Sequence, residues 1–188
     1  MSEYITTYTG KHFKPMQPDP DLIRIADIAH ALSLICRGNG HVHTFWSLGQ
    51  HCICCAKEAA ARGLPDRMVL ACLLHDASEC YMSDVPTPFK KELPDYQEQE
   101  EHLLSIIYEK FLGSDLTAEE QAQLKGIDRA MLWYDLENLL GEVQYGEVPD
   151  LHIDLDYAVR PFAEVEDEYL ELFAKYSRTA IFKHALEF

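Results

Sequence analysis

Apolar and polar residues follow one another along the chain with the period of amphipathic helices. In the first such segment, Ile28, Ala31 and Ile35 fall on one helix face. Asp27 precedes them as a predicted N-cap. Similar patterns predict helices at about residues 27–37, 45–62, 66–81, 95–111, 118–140 and 161–176. Convincing strand alternation is absent, so we predict an all-α bundle of about six or more helices.

Proline and glycine residues mark the two ends of this helical region. Three prolines within residues 1–23 predict an irregular N-terminal segment, and two glycines and a proline within residues 141–160 predict a loop. A length of 188 residues suits one domain with a substantial core. We therefore predict a single domain with an irregular segment (1–23), a helical core (24–140), and a loop with a C-terminal helix (141–188).

The charge balance limits the partners that the chain is expected to bind. Thirty-two acidic residues oppose 16 basic ones, which gives a formal net charge of −16. This balance argues against general binding of nucleic acid, which needs a basic surface, but a few local cations suffice for a small anionic substrate. No apolar run approaches the roughly 20 residues of a membrane span, and the N-terminus lacks the pattern of a signal peptide. We therefore expect a cytoplasmic protein without a membrane partner.

The six cysteines are expected to be reduced. Cys52 and Cys55 have the spacing of a CxxC pair, which leaves a redox pair or half of a zinc site open, but no second CxxC follows. Four of the six lie in or beside apolar helical runs, where cysteine acts as a small hydrophobic residue. We favour a packing role for them.

A short stretch after the apolar run at residues 68–74 concentrates side chains that bind metals or move protons. His75, Asp76 and Glu79 lie within five residues of one another. A charge at the end of a buried helix needs compensation, and a bound cation would provide it. This stretch is therefore the first candidate for a functional site.

His51 and Asp128 are further candidates for the same site. His51 lies in mid-helix among apolar neighbours, where a histidine on its own is more often a core residue than a ligand. Asp128 lies on an apolar stripe that should face inward, where a buried salt bridge is the alternative, but Arg129 is about 100° around the helix. With His75 and Asp76, these residues would form a mixed nitrogen and oxygen site from three helices, suited to Mn, Co, Fe, Ni or Zn.

The order His51, His75-Asp76, Asp128 resembles that of the HD-domain metal-dependent phosphohydrolases. The most similar branch contains the bacterial 5′-deoxynucleotidases and the phage-type deoxynucleoside triphosphate hydrolases. The matching segments, within about residues 24–140, are IAHALSLICR (28–37), SLGQH (47–51), HDASE (75–79) and DVPTPFK (84–90). The resemblance implies an HD-domain helical bundle and one divalent metal ion bound by His51, His75, Asp76 and Asp128.

The resemblance also implies roles for residues around this metal site. Glu79 is implied to act on water or on the scissile phosphate. On a continuous helix it would face the same side as the metal-binding pair before it, and a surface glutamate is the alternative. Arg37 is the first candidate for phosphate binding and Lys90 the second, although sequence does not separate Lys90 from Lys91. Asp84 is implied to accept a hydrogen bond from the sugar hydroxyl, or else it begins the loop.

The chain departs from the deoxynucleotidases next to the phosphate-binding arginine. Gly38 and Asn39 stand where an aromatic residue often follows that arginine. Nearby residues that would line a base pocket, although core or surface positions are favoured for each, are His41, His43, Phe45 and Trp46. Glu79 is followed by Cys80 rather than by aspartate, which disfavours hydrolysis of guanosine tetraphosphate.

These observations predict a metal-dependent phosphohydrolase that acts on nucleotides, with (deoxy)nucleoside 5′-monophosphates as the favoured substrates. One alternative is a (deoxy)nucleoside triphosphate hydrolase with the same site, and a second is a non-catalytic metal- or nucleotide-binding HD module. A third is a helical protein with a purely structural ionic core. The expected partner is a small nucleotide or another phosphate ester rather than a nucleic acid polymer, and the resemblance suggests a homodimer. The native metal and the base and sugar preference stay open.

Overall fold

Helices dominate the computed structural model, which describes residues 3–184 and the side chains of residues 3–177. Two short strands, β1 (Ile5–Thr6) and β2 (His12–Phe13), pair as an antiparallel hairpin. The α-helices of the described residues are α1 (Ile25–Leu34), α2 (Leu48–Ala61), α3 (Asp66–Leu74), α4 (Glu79–Met82), α5 (Thr87–Lys90), α6 (Pro94–Leu112), α7 (Ala118–Leu140) and α8 (Phe162–His184). The predicted all-α bundle is therefore confirmed.

Helix α2 lies at the centre of the bundle, where it packs on α1, α3, α7 and α8. It begins with a capping box in which Gln50 N–H donates to Ser47 Oγ and Ser47 N–H donates to the Gln50 side chain. A Cβ atom on Gly49 would lie 3.1 Å from Val165 Cγ1 of α8 and 3.3 Å from the carbonyl of Leu32 in α1. Glycine thus permits three helices to approach closely, and the next turn of α2 enters the core.

The third predicted helix is interrupted in the structure. Helix α3 ends at Leu74 and α4 begins at Glu79, with a turn between them. In that turn, His75 Nδ1–H donates to the carbonyl oxygen of Cys72, and Ala77 N–H reaches a carbonyl three residues back. A continuous α-helix would instead use bonds that span four residues, so the prediction of one unbroken helix was wrong.

The N-terminal segment that was predicted as irregular contains the hairpin and a 3₁₀ turn at Pro20–Leu22. The predicted N-cap at Asp27 was wrong, because Arg24 occupies that position and Asp27 lies in the first turn of α1. The buried Asp27 carboxylate accepts hydrogen bonds from Thr9 N–H at 2.6 Å and from Thr9 Oγ1–H at 2.9 Å. Asp27 therefore ties the hairpin to α1 instead of capping the helix.

Residues 141–160 form the predicted loop and contain no helix or strand. The fully buried carboxylate of Glu58 in α2 anchors this loop, because it accepts a hydrogen bond from His152 N–H at 2.9 Å and another from Arg62 Nε at 2.7 Å. Across residues 3–184, no helix combines the length and the apolar character needed to cross a membrane.

Candidate metal centre and active site

The buried helix α2 presents His51 to the interior with one ring nitrogen already occupied. His51 is 1% exposed, and its Nδ1 lies 2.9 Å from Asp135 Oδ2. A carboxylate only accepts hydrogen bonds, so Nδ1–H donates to Asp135, and Nε2 is the atom that would act as a ligand once its own proton is displaced. His51 Nε2 lies 3.1 Å from Asp128 Oδ1 of α7.

His75, at the C-terminus of α3, has the same arrangement with a different partner. Its Nδ1–H donates to the carbonyl oxygen of Cys72 at 2.8 Å, so Nε2 is the nitrogen that faces the cluster. This Nε2 atom is buried and makes no hydrogen bond to any described residue. It lies 3.3 Å from Asp76 Oδ1 and 3.6 Å from Asp128 Oδ1. An orphaned, buried nitrogen facing two carboxylates fits a position where a cation binds.

The donor atoms are close enough to share one ion. Ligands held at about 2.1 Å from a common metal lie roughly 3 Å apart, which is close to the spacings just described. One donor atom from each of His51, Cys55, His75 and Asp128 lies within 4.8 Å of the others. Asp76 follows His75 in sequence but belongs to a second group. Its donor atom lies within 4.8 Å of those of His75 and Cys52. The cluster of histidine, cysteine and aspartate side chains therefore has the composition and spacing to hold a metal ion.

Charge is balanced within this cluster. Burial lowers the pKa of both imidazoles, but the negative groups around them outweigh burial and raise the pKa of His51 and His75 well above the usual range. Burial alone would raise the pKa of the Asp128 carboxyl, yet the two histidines hold it far below its usual range. Because metal binding requires neutral imidazole, a cation at this position has to displace protons from the histidines.

Asp135 positions two of the candidate site residues, and sequence reasoning missed it. Its Oδ2 accepts hydrogen bonds from His51 Nδ1 at 2.9 Å and makes an ion pair with Arg37 Nε at 3.1 Å. Its Oδ1 accepts a hydrogen bond from Tyr157 O–H at 3.0 Å, which joins the 141–160 loop to the site. Burial raises the pKa of Asp135, but these partners outweigh it and lower the pKa. The sequence held a usable signal, since Asp135 lies seven residues after Asp128 and thus on the same helix face.

Arg37 follows α1 in a tight turn and is held by two carboxylates. Besides Asp135, its Nη1 lies 3.7 Å from Asp76 Oδ2. Gly38 and Asn39 have φ values of 59° and 55°, in the left-handed region that glycine and asparagine tolerate best. The departure from the deoxynucleotidase pattern at these two positions is therefore a sharp backbone turn beside the arginine.

A cavity of about 320 Å³ opens next to the donor cluster. Its polar lining includes every predicted catalytic and substrate-binding residue together with both predicted aspartate ligands: Arg37, Asp76, Glu79, Asp84, Lys90 and Asp128. Its apolar side is formed by four leucines of α7 and by two valines from other segments: Leu132, Leu136, Leu139, Leu140, Val42 and Val85. Lys90 lines this cavity and Lys91 does not, so the structure separates the two lysines that sequence could not.

The side chains that were considered for a base pocket do not line this cavity. The residues concerned are His41, His43, Phe45 and Trp46. Trp46 is instead buried, with its ring centroid 4.8 Å from that of Tyr157. The backbone N–H of His43 donates to the carbonyl of Leu139 at 2.8 Å. They occupy the core or surface positions that were favoured for them, since Trp46 is buried and the other three are exposed, and Val42 lines the cavity instead.

Glu79 is buried beside a lysine at the wall of the cavity. It is 7% exposed, and its Oε1 lies 3.4 Å from Lys90 Nζ, which also bonds to Glu100 Oε1 at 2.8 Å. Burial and the nearby charges of Asp76 and Asp84 raise the pKa of Glu79 well above its usual range. These conditions favour the protonated acid, which is able to donate a proton to a leaving group.

Comparison with known proteins places the chain in a family with two curated relatives. The chain is 35% identical over 158 residues to the uncharacterized protein YfdR of Escherichia coli strain K12, and the match covers 78% of this chain and 85% of YfdR. It is 31% identical over 140 residues to the uncharacterized protein RCAP_rcc00048 of Rhodobacter capsulatus, which covers 71% of each chain. No family model matches the chain. The chain therefore belongs to the protein family that includes YfdR.

Proposed function

We propose that this protein is an HD-domain metal-dependent phosphohydrolase that removes phosphate from (deoxy)nucleoside 5′-monophosphates. One observation carries the proposal. A single cavity is lined by two cations, Arg37 and Lys90, by a buried acid, Glu79, and by the two proposed aspartate ligands. Metal-assisted hydrolysis of a phosphate ester uses these three elements together.

The proposed ligands are His51, His75, Asp76 and Asp128, which suit one divalent ion such as Mn, Co, Fe, Ni or Zn. The fit rests on the orphaned Nε2 of His75 and on the short distances among the donor atoms. A divalent ion held there supplies Lewis acidity toward a phosphoryl oxygen.

The protein's own side chains would bind the phosphate and manage the proton. Arg37 is oriented by two carboxylates, so its remaining N–H groups are available to phosphate oxygens. Lys90 lies 3.4 Å from Glu79 Oε1 and adds a second positive charge to the wall of the cavity. Protonated Glu79 would donate its proton to the leaving 5′ oxygen of the nucleoside. Asp84 would accept a hydrogen bond from a sugar hydroxyl, and the apolar side of α7 would contact the base.

The balance of charge favours a monophosphate over a triphosphate. Among the residues that line the cavity, Arg37 and Lys90 are the cations, and they face five acidic side chains. A triphosphate carries roughly twice the charge of a monophosphate, so it would be poorly neutralised here. The cavity volume of about 320 Å³ also lies at the small end of ligand pockets, which begin at about 300 Å³.

The test is a panel of nucleoside mono- and triphosphates assayed separately with Mn²⁺, Co²⁺, Mg²⁺ and Zn²⁺. We expect inorganic phosphate from 5′-monophosphates, and a Glu79→Gln variant that binds metal but turns over at least about 100-fold more slowly. Release of pyrophosphate or triphosphate from nucleoside triphosphates would instead support the triphosphate hydrolase. Metal binding without any turnover would support a non-catalytic module.

A further inference from the structure

Helix α2 carries a thiol at the metal cluster that the proposed ligand set does not use. Cys55 is 1% exposed, and its Sγ lies 3.6 Å from His51 Nε2, the nitrogen that faces the cluster. Together with the donors of His75 and Asp128, these two atoms form a group in which every pair is within 4.8 Å. The thiol therefore lies among the ligand atoms.

Helix geometry explains why the thiol and the imidazole converge. His51 and Cys55 are four residues apart on α2, so they project from the same face one turn apart. This spacing presents two donors to one ion when both residues are metal ligands. Asp135 occupies the other side of the imidazole, which directs Nε2 to the side on which Sγ lies.

A second observation points independently to a ligand at the same place. The Nε2 atom of His75 is buried and makes no hydrogen bond within the described residues, although it belongs to the same group of donors as Cys55. A buried nitrogen that makes no hydrogen bond costs free energy unless something binds it. Asp76 approaches that nitrogen, but it falls outside the group that contains His51, Cys55 and Asp128.

We propose that Cys55 is a thiolate ligand of the metal, which makes the ligand set sulfur-containing and the preferred ion thiophilic, with zinc favoured over manganese or magnesium. This inference rests on the proposed metal site. Thiolate ligands favour zinc, whereas carboxylate and water ligands suit manganese and magnesium. Coordination replaces the S–H bond with an S–metal bond and releases one proton to solvent.

The first measurement is X-ray absorption of the zinc-loaded full-length protein. A sulfur ligand lies at about 2.3 Å from zinc, whereas nitrogen and oxygen ligands lie at about 2.0–2.2 Å, so the two shells separate. We expect one sulfur scatterer in the wild-type protein. A shell of nitrogen and oxygen alone would overturn the proposal, and this result does not depend on whether any variant folds.

The second measurement uses substitution with cobalt and a matched pair of variants. Cobalt bound to thiolate gives a strong near-ultraviolet charge-transfer absorption, which we expect in the wild-type protein and in Cys54→Ala, and which should disappear in Cys55→Ala. Cys54 is next in sequence but lies outside the donor group, so its variant controls for loss of a thiol from α2. Zinc affinity should fall at least about tenfold in Cys55→Ala, and manganese affinity less than about threefold.

The outcomes separate this inference from the proposed function. Absorption that persists in Cys55→Ala, or that disappears in Cys54→Ala instead, would overturn the assignment of Cys55. Hydrolysis of 5′-monophosphates by a protein without sulfur ligation would leave the proposed function standing. Sulfur ligation without hydrolysis would support the assignment of Cys55 and contradict the proposed function.

Discussion

At the scale of single residues, the site depends on groups that hold other groups in place. Asp135 shows this most clearly, because one carboxylate contacts His51, Arg37 and Tyr157. It fixes the tautomer of a proposed ligand and the direction of a proposed phosphate-binding arginine at once. Partners of this kind affect metal affinity even though they do not touch the ion.

Replacing Asp135 with asparagine should therefore weaken metal binding by about 10–100-fold. The amide removes the negative charge between His51 and Arg37, and its NH₂ group is unable to accept from either. Zinc affinity measured by competition with a chelator tests this expectation. The control is Tyr157→Phe, which removes the hydrogen bond to Asp135 Oδ1 and should weaken binding by no more than about threefold. Wild-type affinity in the asparagine variant would contradict the positioning role.

Turnover should require the protonated form of Glu79, so the titration of this residue should appear in the pH profile. Burial and the charges of Asp76 and Asp84 raise its pKa, with Glu100 acting in the same direction and Lys90 in the opposite one. An acid that donates a proton is lost as pH rises, so kcat/KM should fall on the alkaline side through the pKa of Glu79.

Two variants separate this alkaline limb of the profile from other titrations. Glu79→Gln should have low activity without that limb, because the amide does not titrate. Lys90→Met removes the nearby positive charge and should move the limb to higher pH, since Lys90 lowers the pKa of Glu79. A limb that stays unchanged in Glu79→Gln would assign the titration to another group.

At the scale of elements, the 141–160 loop is held by a buried charge on α2. Hydrogen bonds to Glu58 from Arg62 and His152 outweigh burial and lower its pKa. A group whose pKa is lower in the folded state contributes stability above its unfolded pKa, and this contribution is lost as pH falls through the folded value. Glu58→Gln should therefore destabilise the fold by about 1–3 kcal/mol at pH 7, and by less at pH 4.

Urea unfolding at the two pH values measures this difference. The matched control is Glu147→Gln, which removes the same charge from an exposed position of the loop and should change stability by less than about 0.5 kcal/mol. Equal losses from the two variants would show that the effect reflects net charge rather than the anchoring contact.

Across the whole molecule, periodicity and composition predicted more of the fold than of the site. Amphipathic spacing located the helices, because packing against one core imposes that spacing along the sequence. Periodicity did not reveal the break after Leu74, because buried apolar residues at helical spacing continue through the turn with Ala77 and Tyr81. It also does not separate a packing role for Cys55 from the proposed ligand role, because a thiol in an apolar run has the same pattern in both cases.

The donors also join parts of the molecule that are distant in sequence, so a bound ion should stabilise the whole fold. His51 lies on α2, His75 at the end of α3 and Asp128 on α7. Zinc at 100 times its dissociation constant would add about 2.7 kcal/mol. For a chain of this size, that should raise Tm by roughly 5–11 °C. His51→Ala serves as the control, and an equal shift in that variant would place the ion elsewhere.

The size of this zinc-dependent shift should change with pH in a defined direction. Both histidines must be neutral to bind an ion, and their raised pKa values mean that protons compete strongly as pH falls. The shift in Tm should therefore be larger at pH 8 than at pH 6. Without zinc the same two groups act in the opposite sense, since a pKa raised by folding contributes stability at low pH that is lost as pH rises through the folded value. Thermal unfolding at both pH values, with zinc and with a chelator, measures the two trends together, and a zinc shift that does not grow with pH would exclude the histidines as ligands.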